Sequence, residues 1–393
     1  MRLFFMFLSV WMSNFSYAQE RSIRLEKADW QRVIAKAKEE NKLLFIDCNA
    51  EWCNPCKALV KDVFSRNAVA DFYNENFVSV SYDIEKDKSP EFFDMPKISS
   101  IPLLLFVNPI TLKIVHGFQG GTDESGMLNL GQKALDGEWN LAGMRERYQA
   151  GERGEALLIP YLGLLKSLYY GEYREVLAGY FKDMTVERLA ILENWNLFEK
   201  EGNDVLMPVF QLAWYGQEQI AQKIGVERVK SKLEEVLTWQ VKDNVRRVDQ
   251  GGSEKNYQRL VALRDCIKSM DWKEKDFCLF VLNMAEKAYQ SDYDDVLKYL
   301  KRFIKEYGVG DKRVGEYVYI FCEKLKENGS QKQILYGIGK LDRVVEKQKD
   351  AGIRSRLMYL KGDMLRAAGY EKEAMRVDTL ATKILNPHFY DRK

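Results

Sequence analysis

The stretch LLFIDCNAEWCNPCKALV, residues 43–60, decides the fold. It opens on a continuous apolar run, Leu43 to Ile46, the signature of a strand buried on both faces of a sheet. One acid, Asp47, interrupts the run. Two cysteines then follow at Cys53 and Cys56, and residues 54–64 carry Ala58, Leu59, Val63 and Phe64 on the inner side of a helix. The cysteines therefore fall where a strand passes into a helix.

That place has a chemical consequence. Unpaired backbone N–H groups and the helix dipole stabilise an anion at a helix N-terminus, so Cys53 is expected to be an activated thiol. Two intervening residues let Cys56 reach the Cys53 sulfur, so a mixed disulfide with a substrate can be resolved internally. The competing readings are half of a zinc site and an inert structural bridge. Zinc needs a second ligand pair, and the chain holds no other CxxC and only two histidines, His116 and His388. The strand-to-helix context favours redox chemistry. No cofactor is required, because the two thiols carry both electrons.

Outward from this segment, residues 26–40 place Trp30, Val33, Ile34 and Ala37 at helical spacing. Residues 77–84 alternate Val78, Val80 and Tyr82 with serines and read as a second strand. Pro102 leads a third strand at residues 103–107, residues 112–118 form a fourth, and residues 124–135 a closing helix. The order describes a small α/β domain with a mixed sheet flanked by helices.

The segment IDCNAEWCNPCKAL resembles the active-site segment of the thioredoxin superfamily: Trp52 before the first cysteine, Pro55 between the pair, Lys57 after it and Asp47 six residues upstream. Ser100-Ile101-Pro102 ahead of LLLFV resembles the family's cis-proline loop, and VFSRNAVADFYNENFVSVSYDIEK is similar to exported bacterial disulfide reductases. The resemblance covers residues 22–137. It implies that Asp47 takes or relays the proton of Cys56, and that Ile101 and Pro102 face the cysteines and pair with an extended substrate. Trp52, beside the nucleophile, is read as part of an apolar docking surface, with plain core as the alternative. Asp47 also admits a plainer role, ending the strand or capping a turn. Cys48-Asn49 stand where the family usually has aromatic residues, and Asn54-Pro55 replaces Gly-Pro.

Residues 140–393 change character, with long amphipathic segments and few prolines. Residues 156–170 with 173–182, 275–289 with 294–307, and 356–368 with 372–384 read as helix pairs, each broken at a short turn: GEY, SDY or AGY. The last pair weakly resembles a tetratricopeptide-like repeat, so an all-α repeat or bundle is expected, with a division into two lobes near residues 250–253. Cys266, Cys278 and Cys322 are expected as buried free thiols, a Cys266–Cys278 bridge being the alternative. Cys48 is read as a small buried hydrophobe.

At the start, Arg2, an apolar run to Met12 and Ser16-Tyr17-Ala18 read as a signal peptide over residues 1–18, hence an exported chain, periplasmic or secreted. The balance of 60 Lys and Arg against 58 Asp and Glu gives no electrostatic case for nucleic acid. The expected activity is exported thiol–disulfide oxidoreduction of protein disulfides, by reduction or isomerisation. A transmembrane thiol carrier is the electron donor the resemblance implies. The helical region is expected to bind a partner, a substrate or a second copy, the rival reading being a passive structural appendage. The alternatives are a disulfide-donating oxidase and a non-enzymatic chaperone or scaffold.

Overall fold

The computed structural model describes residues 21–87, 98, 100–168, 171–247 and 253–385. The signal peptide, residues 250–252 of the expected lobe boundary, and His388 lie outside the described residues. By its internal contacts the chain divides into two compact units, Met1–Asp183 and Met184–Lys393.

The first unit is built on a five-stranded mixed sheet. In chain order its elements are β1 (Leu25–Lys27), α1 (Trp30–Glu39), β2 (Leu43–Asn49), α2 (Asn54–Leu59), a π-turn (Val60–Phe64), α3 (Asn67–Asn76), β3 (Phe77–Asp83), β4 (Leu103–Val107), β5 (Ile114–Gln119) and α4 (Glu124–Leu135). The sheet order is β1-β3-β2-β4-β5. The first three strands run parallel; β4 and β5 pair antiparallel to β2 and β4 respectively.

Strand alternation sorts the side chains. Phe45 on β2 sits opposite Phe106 on β4, and directly opposed residues share a face. On that face Phe45 meets Phe64, Tyr73 and Phe106 at ring-centroid distances of 5.9, 4.9 and 5.2 Å. Leu59, Val63, Leu104, Met127 and Leu130 complete the core. Each such fully buried side chain contributes roughly 1.5–3 kcal/mol over its exposed state. Helix ends are closed locally: Asp29 accepts the Arg32 N–H at 3.3 Å to start α1, and Asp123 accepts the Gly126 N–H at 2.8 Å to start α4.

The mixed sheet and its flanking helices agree with the sequence reading, with local corrections. Residues 26–28 precede the first helix, which begins only after the Asp29 cap, and Glu26 belongs to β1. Leu112 adopts φ 60° in a turn, so the fourth expected strand begins at Ile114. Ala58, expected as an inner residue, is exposed, because the buried stripe of this segment runs through Cys56, Leu59, Val63 and Phe64. Helix α3 adds an element to the expected order; Val69, Ala70 and Tyr73 bury it.

Three further helices, α5 (Leu141–Gln149), α6 (Glu155–Ser167) and α7 (Tyr173–Lys182), fall in the first unit. Helices α5 and α6 pack against the edge strand β5. The fit is close at Gly117, where a Cβ would lie 3.0 Å from Leu105, 3.1 Å from the Leu104 carbonyl oxygen and 3.1 Å from Leu168.

Among the described residues of the second unit every regular element is a helix: α8 (Val186–Leu189), α9 (Leu192–Glu201), α10 (Pro208–Tyr215), α11 (Gln217–Ile224), α12 (Val226–Arg246), α13 (Glu254–Ser269), α14 (Lys275–Tyr289), α15 (Tyr293–Tyr307), α16 (Lys312–Asn328), α17 (Gln331–Lys347), α18 (Ala351–Ala367) and α19 (Glu371–Leu385). Successive helices pack in pairs, α14 on α15 and α18 on α19 among them. The SDY turn works as a cap: Asp292 accepts the Asp295 N–H at 3.1 Å. A Ser330–Gln333 capping box opens α17. Cys278 and Cys322 are buried free thiols, and burial pushes both up to about 12. Cys266 is also free but only half-buried, accepting a bond from Gln211 Nε2 at 2.9 Å. None of the helices among the described residues is long and apolar enough to cross a membrane.

Candidate active site

The site grows from the end of β2. Its chain turns at Ala50, whose carbonyl accepts the Cys53 N–H at 3.0 Å, and Cys53 becomes the N-cap of α2. Pro55 stands in the first helical turn, where a missing N–H leaves no bond unmade. Cys53 Sγ accepts the Cys56 N–H at 3.1 Å, so the sulfur already sits in the field that would stabilise a thiolate. Cys53 and Cys56 are joined, with S–S 2.07 Å and Cα–Cα 5.3 Å, and are 2% and 3% exposed.

Asp47 lies on the sheet face carrying Phe45 and opposite Leu104 and Ser81. Leu59 of α2 packs into the same core as Phe45 and Leu104. Cys56, three residues earlier on the buried stripe of α2, therefore points to the face that holds the carboxylate. Asp47 is 1% exposed. Its Oδ2 accepts a bond from Asn49 Nδ2 at 3.2 Å, and its Oδ1 has no partner among the described residues. Burial raises this carboxyl from 3.8 to about 7, against the opposing pull of the Asn49 bond.

The antiparallel register Asp47↔Leu104 and Cys48↔Leu103 brings the residues before β4 to the same end of β2. The Ile101–Pro102 peptide bond there is cis. Pro102 is buried, Ile101 is half-buried, and the Pro102 carbonyl accepts the Gly120 N–H at 2.8 Å, fixing the loop to the end of β5.

A family model described as thioredoxin-like matches residues 25–109. Thioredoxin H2 of Arabidopsis thaliana is 33% identical over 81 residues, 20% of this chain and 56% of that protein. Thioredoxin H8 of the same plant is 30% identical over 78 residues, 20% of this chain and 49% of that protein. The first unit carries a thioredoxin-like domain. The chain spans about half the length of these two curated relatives. A solution structure of a candidate disulphide-isomerase from Bacteroides thetaiotaomicron is 33% identical, covering 30% of this chain and 98% of that one, with a TM-score of 0.28.

In the thioredoxin-like domain, then, Cys53, Cys56, Asp47, Ile101 and Pro102 gather around the C-terminal end of β2. Trp52 stands beside them, 63% exposed, its Nε1 donating to Glu85 Oε1 at 2.8 Å. Lys57 points to solvent. Cys48 faces the opposite side of β2, fully buried, and burial pushes its thiol well up. Sequence reasoning gives no role to Glu85, Ser81 or Asn49, although alternation alone puts Asn49 on the face of Asp47. Among the described residues no cluster of His, Cys, Asp or Glu is arranged to hold a metal ion. His116 is buried, lies outside this group, and is pushed down to about 4 by burial.

Proposed function

We propose that the protein is an exported thiol–disulfide oxidoreductase that reduces or isomerises disulfides in other proteins. The observation that carries the reading is Cys53 at the N-cap of α2, its sulfur accepting the Cys56 N–H, above a sheet face that holds the buried Asp47 carboxyl. In the reduced protein Cys53 thiolate attacks one sulfur of a substrate disulfide, forming a Cys53–substrate bond and releasing the other sulfur as a thiolate. Cys56 gives its proton to the Asp47 carboxylate and attacks Cys53 Sγ. The Cys53–Cys56 bond forms, and the second substrate sulfur leaves carrying the electron pair.

Trp52 offers an exposed apolar plate beside the nucleophile, and Ile101-Pro102 is the backbone against which an extended substrate docks. The N-terminal leader pattern, Arg2 with an apolar run and Ser16-Tyr17-Ala18, supports export to a periplasm or to the medium. A reductant outside the cytoplasm needs an electron supply, and a membrane thiol carrier supplies that chemistry. The helical second unit selects a partner or substrate for the thioredoxin-like domain.

The test is the reduction potential of the Cys53/Cys56 couple, titrated in defined thiol–disulfide buffers with Cys53→Ser as blank. A value near about −270 mV supports a reductant. A value near about −120 mV makes the protein an oxidase that donates disulfides. A pair that does not titrate removes the redox reading altogether.

A further inference from the structure

Asn49 ends β2 on the same face as Asp47, and its side-chain nitrogen approaches three oxygens: the Asp47 carbonyl at 2.9 Å, Asp47 Oδ2 at 3.2 Å and Ser81 Oγ at 2.9 Å. The orientation of the amide follows from its neighbours. The carbonyl and an ionised carboxylate can only accept, so the group must turn its N–H bonds toward them. Ser81 is the register partner of Asp47 across β2 and β3. Asn49 thus ties the carboxylate to its own strand and to the next.

We propose that Asn49 is a positioning residue: with Ser81 as its anchor, its amide holds the Asp47 carboxylate in place and decides how readily it accepts the Cys56 proton. This rests on the reading of Asp47 as the base in the resolving step. That step transfers the proton from Cys56 Sγ to Asp47, forms the Cys53–Cys56 bond and sends the electron pair of the broken Cys53–substrate bond to the departing sulfur.

The surroundings leave Asn49 in a controlling position. The other titratable groups on β2, β3 and the α2 segment are Cys53 at the N-cap of α2, Cys56 and the exposed Lys57 on that helix, Cys48 on the far face of β2 with Tyr82 of β3 as its register partner, and Asp83 at the end of β3. Asp83 is occupied by the Glu85 and Lys86 N–H groups. The β4 residue opposite Asp47 is the apolar Leu104. Burial and the Asn49 bond are the two causes acting on the Asp47 carboxyl. A hydrogen bond to the ionised form favours it, so losing the amide makes Asp47 harder to ionise.

The test mixes the reduced full-length protein with less than one equivalent of 5,5′-dithiobis(2-nitrobenzoate) in a stopped-flow instrument between pH 5 and 9. Attack by Cys53 releases one thionitrobenzoate, and resolution by Cys56 releases the second. In the native protein the second phase rises through an inflection that Asp47→Asn removes. In Asn49→Ala the inflection moves upward by about one pH unit, so resolution at pH 6 slows on the order of tenfold while the first phase is unchanged. Asn49→Leu, which keeps the bulk and loses the donor, gives the same shift and covers the case in which the smaller side chain disturbs folding. An inflection unmoved in both Asn49 variants but lost in Asp47→Asn overturns this proposal alone. An inflection retained in Asp47→Asn overturns the base assignment, and this proposal with it. Absence of a second release overturns the dithiol reading.

Discussion

Replacing Asp47 by asparagine should make the oxidised protein more stable at pH 8, although it removes the proposed base. The carboxyl is 1% exposed and rises from 3.8 unfolded to about 7 folded. A raised folded value means that the native state prefers the protonated form. The stabilisation is fully present below pH 3.8 and is lost as pH rises toward 7. At 1.36 kcal/mol per unit, a rise of about three units makes the native state about 4 kcal/mol less stable above pH 7 than a neutral group would leave it. Asparagine keeps the shape and cannot ionise. Urea unfolding at pH 4 and pH 8, followed by a probe in the first unit, gives the difference between the two proteins at each pH. Other titrating groups cancel in that difference. The native protein should lose about 4 kcal/mol more than Asp47→Asn between the two conditions. Parallel stability curves would mean that the carboxyl is not held in a desolvated site, and the argument for a base poised near neutrality would fall with it.

Three more outcomes follow from the geometry. Cys56→Ser should leave Cys53 able to attack and unable to release, so a covalent protein–substrate disulfide accumulates; mass spectrometry after mixing with an oxidised protein substrate reads it directly, and rapid turnover without an adduct would contradict the order of attack. Trp52→Ala removes an exposed ring and should change stability by less than about 0.5 kcal/mol, while kcat/KM for a protein disulfide falls and that for a small disulfide holds; an equal fall for both would place Trp52 in the chemistry and not in docking. Gly117→Ala forces a methyl against Leu105, the Leu104 carbonyl oxygen and Leu168, which should cost about 1–3 kcal/mol; a melting temperature equal to the native protein's would show that β5 accommodates a side chain at this position.

The parts of this fold written in short apolar runs are legible in the sequence: Leu43 to Ile46 and Leu103 to Val107 are each framed by a turn signal, and nothing but a buried strand fits their length. Helix α3 is not, because its buried positions are only Val69, Ala70 and Tyr73, too few to stand out among the asparagines around them. Ala58 takes the wrong face in a reading by periodicity because a small apolar residue says little about its own side, whereas Cys56, Leu59 and Val63 mark the stripe. Cys53 and Cys56 can be read from spacing. The cis bond at Pro102 can be expected only from the family resemblance, since no local residue compels it. Asn49 stands out in the sequence as a departure in type; its partner becomes visible only through the β2–β3 register that sets Ser81 across from Asp47.

Consecutive residues of a strand look in opposite directions, and in β2 that simple fact separates Asp47 from Cys48. The two are covalent neighbours, yet the full thickness of the sheet stands between the carboxyl and the third thiol of this region. Cys48 is solvent-free, and burial together with the neighbouring Asp47 raises its thiol well above the usual range, which disfavours the nucleophilic thiolate on that side of the strand. A one-residue slip of β2 would reverse that arrangement, turning the thiol toward the cysteine pair and burying the acid on the wrong side. The register of one strand therefore sets which sulfur shares a face with the Asp47 carboxyl and which is turned away from it.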